Sequence, residues 1–222
     1  MNLEGKIAVI TGAGSGIGRA IAIAYTRAGA GVVLAGRRES KLRETAGGCE
    51  GETLVVPSDI SREDDVMSLR DSVVEKFGRC DILVNNAGIF KPEPGVPLHE
   101  SPVEDWDEVM RINTRGPFLC LRAFAPLMIA QRYGRIINVT SGLKHAPGHG
   151  VYSVSKSALD ALTKTSAQEL SQYNVLVNSL NPGWVRTEMA KNAPERPDKV
   201  TPLALRLASL PDDEPSGVEF QA

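Results

Sequence analysis

The sequence has few cysteines and no long apolar run. Cys49, Cys80 and Cys120 are far apart and belong to no CxxC or Cys/His pattern, so neither a disulfide framework nor a metal site is expected. No apolar stretch approaches the roughly 20 residues that span a bilayer, and the start of the sequence lacks the basic and apolar regions of a signal peptide. These absences predict a protein of the reducing cytoplasm without a membrane partner.

An excess of charge of one sign is lacking as well. The chain has 25 lysines and arginines against 27 aspartates and glutamates, for a formal net charge of -2. This balance gives no electrostatic reason to expect nucleic acid or an anionic membrane as a partner. With 222 residues, of which 42% are hydrophobic, the chain is long enough for one sizeable core and too short for two. We expect one domain, spanning residues 1–222, whose ligand is a small molecule.

What the sequence does contain is a regular alternation of short β-branched runs and longer helical patterns. Several runs are apolar throughout, as in parallel strands buried on both faces. Repeated β-α units with right-handed crossovers predict an α/β fold, a doubly wound Rossmann sheet of six to seven strands. The tail should add a loop, a short helix and a last strand near "VEF". Strands are predicted at 6–10, 31–35, 53–57, 81–85, 135–139 and 175–180, and helices at 16–29, 39–46, 63–77, 103–131 and 153–172.

The first predicted strand runs directly into the glycine-rich turn "TGAGSGIG". Gly12, Gly16 and Gly18 fall where a tight turn, a close backbone approach and helix packing would each exclude a Cβ atom. Ser15 and Ile17 lie at the start of the following helix, whose free N–H groups suit a pyrophosphate. Glycine-rich turns often serve only chain reversal, but a turn between a strand and a helix is the setting that nucleotide binding requires.

Six motifs in order resemble the short-chain dehydrogenase/reductase family, in its carbonyl-reductase-like or 3-oxoacyl-reductase-like branch. The resemblance covers residues 3 to about 190. It implies a single-domain Rossmann fold, a nicotinamide cofactor and oxidoreductase activity. The motifs are "TGAGSGIG" (11–18), "NNAG" (85–88), "IN" (112–113), "VTS" (139–141), "YSVSK" (152–156) and "NPG" (181–183).

The end of the second predicted strand bears on which nicotinamide cofactor is used. An acidic residue that bonds the ribose hydroxyls of NAD is usual there, but Gly36 takes that position and Arg37 and Arg38 follow. Two guanidinium groups suit a 2'-phosphate, while Glu39 fits the first turn of the next helix. A solvent-facing basic turn is the structural alternative. We expect NADP(H) in preference to NAD(H).

The family resemblance implies further cofactor contacts. The aspartate of "SDI" would meet the adenine, although it also suits a helix cap. The small residues of "NNAG" would let the backbone approach the cofactor. Pro182 and Gly183 would bend the chain over the nicotinamide, and Val185 and Thr187 would contact its amide. The residues so implied are Asp59, Ile60, Asn86, Ala87, Gly88, Pro182, Gly183, Val185 and Thr187.

The stretch "VYSVSKSALDALTK" carries a candidate catalytic pair. Tyr152 and Lys156 are four residues apart, so both side chains leave a helix on the same side. An ammonium near a phenol of pKa about 10 favours the phenolate, and such a charge shifts a pKa by about 1–3 units. We therefore predict a lowered pKa for Tyr152, which would give a proton to a carbonyl oxygen as hydride arrives. The family's lysine also bonds the nicotinamide ribose; the structural alternative is a snorkelling lysine on an amphipathic helix.

Two more residues match catalytic positions of the family. Ser141 corresponds to the serine that bonds the substrate oxygen, with Thr140 as a substitute. It lies eleven residues before Tyr152, where the family usually has two more, so the loop 142–151 is shortened. Asn113 would interrupt the long helix and hold a water that relays protons to Lys156; alternatively it is a polar residue bonded to nearby backbone.

The substrate side of the sequence is less informative. His145, His149 and Trp184 lie near the expected pocket, and their roles are left open. Residues 187–205 form a shorter substrate-covering segment than the family usually has. The two long helical patterns resemble those through which family members pair, so a homodimer or homotetramer is expected, although the ending lacks the tail that supports tetramer contacts.

The leading hypothesis is an NADPH-dependent reductase of a ketone, aldehyde or 3-oxoacyl group. One alternative is an NAD-dependent dehydrogenase of secondary alcohols, against which the two arginines after the second strand argue. Another is a regulator that binds NADP(H) without turnover, whose expected mark would be loss of the tyrosine or the lysine.

Overall fold

A computed structural model describes residues 1–91 and 95–222. Across these residues one seven-stranded sheet has the order β3-β2-β1-β4-β5-β6-β7, and every pairing in it is parallel. The α/β doubly wound fold predicted from the sequence is confirmed. The strands are β1 (Ile7–Thr11), β2 (Gly31–Gly36), β3 (Thr53–Pro57), β4 (Ile82–Asn85), β5 (Gly134–Val139), β6 (Val175–Asn181) and β7 (Glu219–Gln221).

Helices cover both faces of this sheet. Successive residues of a strand point to opposite faces, so Ala8 and Ile10 of β1 join one core while Val9 joins the other. The first core packs against α1, α2 and α7, and the second packs against α3, α5 and α6. The helices are α1 (Gly16–Arg27), α2 (Glu39–Ala46), α3 (Glu63–Phe77), α4 (Val103–Met110), α5 (Gly116–Gln131), α6 (Gly150–Leu170) and α7 (Thr201–Ala208).

The long helical pattern at 103–131 is divided where the sequence predicted an interruption. Between α4 and α5 the chain makes one π-helical turn, Arg111–Arg115. Such a turn inserts an extra residue and is frequent at functional sites. It contains Asn113, whose side chain is fully buried and bonded to another segment.

Helix α6 begins at Gly150, three residues earlier than predicted. Gly148 and Gly150 adopt positive φ angles of 76° and 44°, a conformation that favours glycine. The chain therefore reverses direction within few residues before α6, and Tyr152 falls in the first turn of that helix. Helix α1 ends at Arg27, two residues before its predicted end at residue 29. Gly29, with φ 93°, lies in the turn that follows.

The tail folds back onto the sheet as a short helix and a last strand. The Tyr25 hydroxyl of α1 donates to the Ala204 carbonyl of α7 at 2.8 Å. Arg135, fully buried in β5, donates to the Leu210 carbonyl at 2.7 Å and to Asp212 at 2.7 Å. These bonds fix the chain that leads into β7. Within the described residues, no helix combines the length and hydropathy that a membrane span requires.

Candidate active site

A cleft of about 600 Å³ opens at the carboxyl ends of the central strands. The strand order reverses between β1 and β4, which is where doubly wound sheets bind ligands. Most of the sequence-predicted site residues line it together. These are Gly12, Ser15, Gly16, Ile17, Arg37, Arg38, Asp59, Ile60, Asn86, Ala87, Gly88, Tyr152, Lys156, Pro182 and Thr187.

The glycine turn is shaped by close backbone approach. Gly12 has φ 66°, and a Cβ there would lie 2.9 Å from the Ala87 Cα atom. A Cβ on Gly18 would lie 2.5 Å from the Gly12 carbonyl oxygen, so Gly18 sets the packing of α1 on the turn rather than lining the cleft. The Asn86 amide donates to the Thr11 carbonyl at 2.9 Å. The "NNAG" segment therefore braces the turn from the neighbouring strand.

The start of α1 suits a phosphate-bearing ligand. Ser15 precedes the helix with extended backbone, and no side chain caps the first N–H groups. A Cβ on Gly16, which has φ 54°, would lie 3.1 Å from Thr187 Cγ2. A narrow cradle with free donors and a helix dipole matches the pyrophosphate of a dinucleotide. The residues present therefore fit a nicotinamide dinucleotide.

The two arginines after β2 differ in their surroundings. Both are exposed and line the cleft. Arg38 Nη2 donates to Glu188 Oε2 at 2.8 Å and to Ser15 Oγ at 3.2 Å, and Nη1 donates to Glu188 Oε1 at 3.2 Å. Hydrogen bonding to Arg38 lowers the pKa of Glu188. Arg38 thus bridges the start of α1 and the segment after β6.

Asp59 does not cap α3, whose N-cap residue is Arg62. Its Oδ1 atom accepts from the Ser61 amide at 3.0 Å and from Ser61 Oγ at 2.7 Å, within the turn before that helix. The residue also lines the cleft beside Ile60. Partial burial raises the pKa of Asp59, but the bonds from Ser61 and the charges of Arg37 and Arg111 outweigh it and hold the pKa below its usual value.

Tyr152 lies in the first turn of α6, with only 7% of its surface exposed. Burial raises its pKa, and a hydrogen bond with the Ser141 side chain lowers it in part, so the pKa remains above its usual value of 10.0. The sequence predicted that the Lys156 ammonium lowers the pKa of Tyr152, and this prediction was wrong. The phenol is desolvated, and the Lys156 Nζ atom lies 5.7 Å from the ring centroid, bonded elsewhere. Tyr152 therefore holds its proton at neutral pH.

Lys156 extends beneath the cleft into a nearly closed environment. Its Nζ atom donates to the Val139 carbonyl at 2.8 Å, and burial lowers its pKa from 10.5 to about 8. The cation is disfavoured because it loses hydration without gaining a carboxylate partner. This lysine can therefore change protonation state near neutral pH.

The end of β5 distinguishes the two candidate hydroxyl groups. The Ser141 side chain lowers the pKa of Tyr152 in part, and its Oγ atom accepts from the Leu143 amide at 3.1 Å. Thr140 Oγ1 donates instead to Glu219 Oε2 at 2.9 Å, toward β7. Thr140 lines the cleft and Ser141 does not, but of the two only Ser141 acts on the pKa of Tyr152.

Asn113 bonds to the backbone beside Lys156. Its Oδ1 atom accepts from the Ile89 amide at 2.8 Å, and its Nδ2 atom donates to the Ile89 carbonyl at 2.8 Å. A Cβ on Gly88 would lie 3.1 Å from Asn113 Oδ1 and 3.6 Å from Lys156 Nζ. The π-helical turn thus places the Asn113 amide against the backbone of residues 88–89, which lies between Asn113 and Lys156.

Several predicted neighbours of the pocket lie outside the cleft lining. Val185 is buried and bridges to Glu195, and Gly183 has φ 70° in the turn after Pro182. Trp184 is 66% exposed, so it is not a core residue. His145 Nδ1 is 3.2 Å from Ser157 Oγ, a contact that fastens the shortened loop to α6.

Among the lining residues that were missed from the sequence, two contact predicted site residues. Phe90 packs against Tyr152 at a tilt, with ring centroids 4.6 Å apart, and its ring is nearly perpendicular to that of His149, with centroids 6.1 Å apart. Glu188 is the partner of Arg38 across the cleft. Phe90 follows "NNAG" by two residues, and Glu188 follows the predicted cofactor contact Thr187 within the segment 187–205, so each had a local signal.

Comparisons with known proteins agree with this geometry. The profile of the family described as short chain dehydrogenase matches residues 6–198. A 3-oxoacyl-[acyl-carrier-protein] reductase of Thermotoga maritima is 38% identical over 201 residues, 88% of this chain and 80% of the relative. A D-beta-hydroxybutyrate dehydrogenase of Rhizobium meliloti is 38% identical over 193 residues, 84% of this chain and 74% of the relative. The crystal structure of a 3-ketoacyl-(acyl-carrier-protein) reductase from Brucella melitensis, complexed with NADH, superimposes with TM-score 0.92 and 31% identity, covering 100% of this chain and 98% of that one.

The fold and the cleft define an oxidoreductase that uses a dinucleotide. More particularly, the chain belongs to the short chain dehydrogenase family. It binds a nicotinamide cofactor and interconverts alcohol and carbonyl groups.

Proposed function

We propose that this protein is an NADPH-dependent reductase of ketones, aldehydes or 3-oxoacyl groups, with Tyr152 as the proton donor. The observation that carries the proposal is a buried phenol that keeps its proton, with Ser141 acting on its pKa and the buried amine of Lys156 at 5.7 Å from its ring centroid. A donor that is protonated at neutral pH is what carbonyl reduction requires. The relatives named as 3-oxoacyl reductases favour that substrate class.

The residues of the chain divide the work at the carbonyl. A nicotinamide held in this cleft would supply the hydride for the carbonyl carbon. Ser141 Oγ donates a hydrogen bond to the substrate oxygen and stabilises its developing charge. Tyr152 Oη transfers its proton to that oxygen, and protonated Lys156 stabilises the phenolate that remains. Asn113 holds the 88–89 backbone beside the lysine, on the path by which water returns the proton.

Arg37 and Arg38 support the preference for NADPH. Gly36 leaves no carboxylate at the ribose, and two guanidinium groups offer charge-assisted bonds to a 2'-phosphate. For Arg38 to bind the 2'-phosphate, its ion pair with Glu188 must open at least in part. The same ion pair favours the second candidate, an NAD(H)-dependent dehydrogenase, because it neutralises one of the two cations.

Other expectations from the sequence form part of the proposal. Residues 187–205 cover the substrate, with Glu188 and Met189 at the cleft. The protein acts in the cytoplasm as a homodimer or homotetramer that pairs through α4, α5 and α6. Pro182 and Gly183 bend the chain over the nicotinamide, and Val185 and Thr187 contact its amide.

The test is oxidation of NADPH and NADH by the purified protein with a panel of ketones, aldehydes and 3-oxoacyl thioesters. We expect turnover that prefers NADPH and is fastest with one of these carbonyl classes. Turnover that prefers NADH would support the dehydrogenase, and tight NADPH binding without turnover on the whole panel would support the non-catalytic regulator.

A further inference from the structure

A small charged network joins the shortened loop to β7 and α6. Lys144 Nζ donates to Glu219 Oε2 at 2.7 Å and to Asp160 Oδ1 at 3.3 Å. Glu219 belongs to β7 and Asp160 to α6. One side chain therefore joins the loop to the edge strand and to the helix that carries Tyr152.

The network is balanced in charge and partly withdrawn from solvent. Lys164 Nζ lies 2.9 Å from Asp160 Oδ2 on the solvent side, and Thr140 Oγ1 donates to Glu219. The side chains of Lys144, Asp160 and Glu219 are only 19%, 12% and 26% exposed. Removal of one member of such a group leaves a partly buried charge without a partner, which costs more than loss of an exposed pair.

Burial and hydrogen bonding act in opposite directions on these groups. Burial lowers the pKa of Lys144, but bonds to Glu219 and Asp160 outweigh it and the pKa is raised. Burial raises the pKa of Asp160, but hydrogen bonds from Lys164 and Lys144 outweigh burial, and the pKa is lowered. The ion pairs therefore persist at neutral pH.

Lys144 ends a tight turn that starts at Ser141, the proposed catalytic serine. The Lys144 amide donates to the Ser141 carbonyl at 3.3 Å, and the Leu143 amide donates to Ser141 Oγ at 3.1 Å. Ser153 Oγ donates to the Leu143 carbonyl at 2.8 Å. Ser141 thus stands at one end of a tight turn, and the Lys144 side chain anchors the other end.

We propose that Lys144 is a positioning residue that holds Ser141 at Tyr152 through its ion pairs with Glu219 and Asp160. This inference rests on the proposed function, because it takes Ser141 as the donor to the substrate oxygen. It makes β7 part of the catalytic machinery and explains how a loop two residues shorter than usual keeps the serine in place. Lys144 itself touches neither substrate nor cofactor.

The kinetic test compares Lys144→Met with Lys144→Arg and Lys164→Met. Lys164→Met is the matched control, since it removes a lysine from the same carboxylate without contact to the loop. We expect Lys144→Met to lower kcat about tenfold, as displacement of a catalytic group does, with NADPH affinity within about twofold. Lys144→Arg should restore most of the loss. An unchanged kcat in Lys144→Met, or an equal loss in Lys164→Met, would overturn the proposal.

A double-mutant cycle separates positioning from general destabilisation. In a Ser141→Ala background, itself lower in kcat by about 10²-fold or more, Lys144→Met should have almost no further effect, because the group it positions is gone. If the two substitutions instead lowered kcat by independent factors that multiply, Lys144 would act on a group other than Ser141.

A second readout needs no turnover and so remains valid if the proposed reaction fails. The ring Cζ resonance of Tyr152, in protein labelled with ¹³C-tyrosine and assigned by Tyr152→Phe, reports its bond with Ser141. Lys144→Met should move this resonance in the same direction as Ser141→Ala, while Lys164→Met leaves it in place. A resonance that Lys144→Met does not move would refute the positioning role whatever the substrate is.

Discussion

At the scale of single residues, the site depends on burial as much as on residue type. Tyr152 and Lys156 are both withdrawn from water, which disfavours the charged form of each: the pKa of the phenol rises and that of the amine falls. Motif spacing predicted which two residues stand together. It could not predict the direction of the Tyr152 shift, because desolvation depends on packing that the local sequence does not contain.

The depressed pKa of Lys156 predicts a pH-dependent stability. Between pH 8 and 10.5 the unfolded chain binds more protons at this residue than the folded one, so the free energy of unfolding should rise with pH there. Relative to Lys156→Met the rise should reach at most about 3–4 kcal/mol, and below pH 8 the difference should be constant. Denaturant unfolding across this range measures it. Lys164→Met, at an exposed lysine of the same helix, is the control; a flat difference for Lys156→Met would show that the amine is not desolvated.

The arginines after β2 predict a cofactor-specific loss. Substitution of Arg37 and Arg38 by alanine should weaken NADPH by about 10–100-fold per lost charged bond while NADH changes little, since only NADPH carries the 2'-phosphate. Fluorescence titration of both cofactors measures the ratio. Arg62→Ala, at an exposed arginine paired with Asp65, is the control. Equal weakening of both cofactors would exclude the phosphate contact.

At the scale of elements, the positions of functional groups follow from how strands, turns and helices end. The glycine turn, the strands and the helix that carries Tyr152 were predictable because their patterns are local. The bond between Arg38 and Glu188 spans 150 positions of the chain, and the bond between Lys144 and Glu219 spans 75. Contacts of this kind arise only from tertiary packing, so no local pattern marks which residues pair.

Gly18 tests the packing of α1 on the glycine turn. A Cβ at this position would lie 2.5 Å from the Gly12 carbonyl and 2.5 Å from Asn86 Nδ2, so Gly18→Ala should displace the turn at a cost of about 1–3 kcal/mol. NADPH and NADH should both bind more weakly, because the pyrophosphate cradle is common to them. Gly47→Ala, where a Cβ meets atoms no closer than 3.6 Å, is the matched control in calorimetry and titration. Unchanged binding by Gly18→Ala would mean that the turn does not form the cradle.

At the scale of the whole molecule, the cleft joins segments from distant parts of the chain. The glycine turn, the ends of β2 and β5, α6 and the segment after β6 all line it, so a bound dinucleotide would hold both halves of the sheet together. A ligand at about 100 times its Kd adds about 2.7 kcal/mol to the free energy of unfolding. For a chain of this length we expect NADPH to raise Tm by about 5–10 °C.

Thermal unfolding with and without cofactor measures this effect. The rise should be smaller for the variant that lacks both Arg37 and Arg38, at the same NADPH concentration. No rise for the wild type at a concentration that saturates turnover would contradict binding in this cleft.

The most direct test of the central claim is the rate of NADPH oxidation by Tyr152→Phe, compared with the wild type at saturating carbonyl substrate. The substitution removes only the hydroxyl, so cofactor affinity should change little. The loss of the proton donor should reduce kcat by about 10²–10⁴-fold. A Tyr152→Phe variant that turns over at the wild-type rate would contradict the account, because the proton would then come from another group.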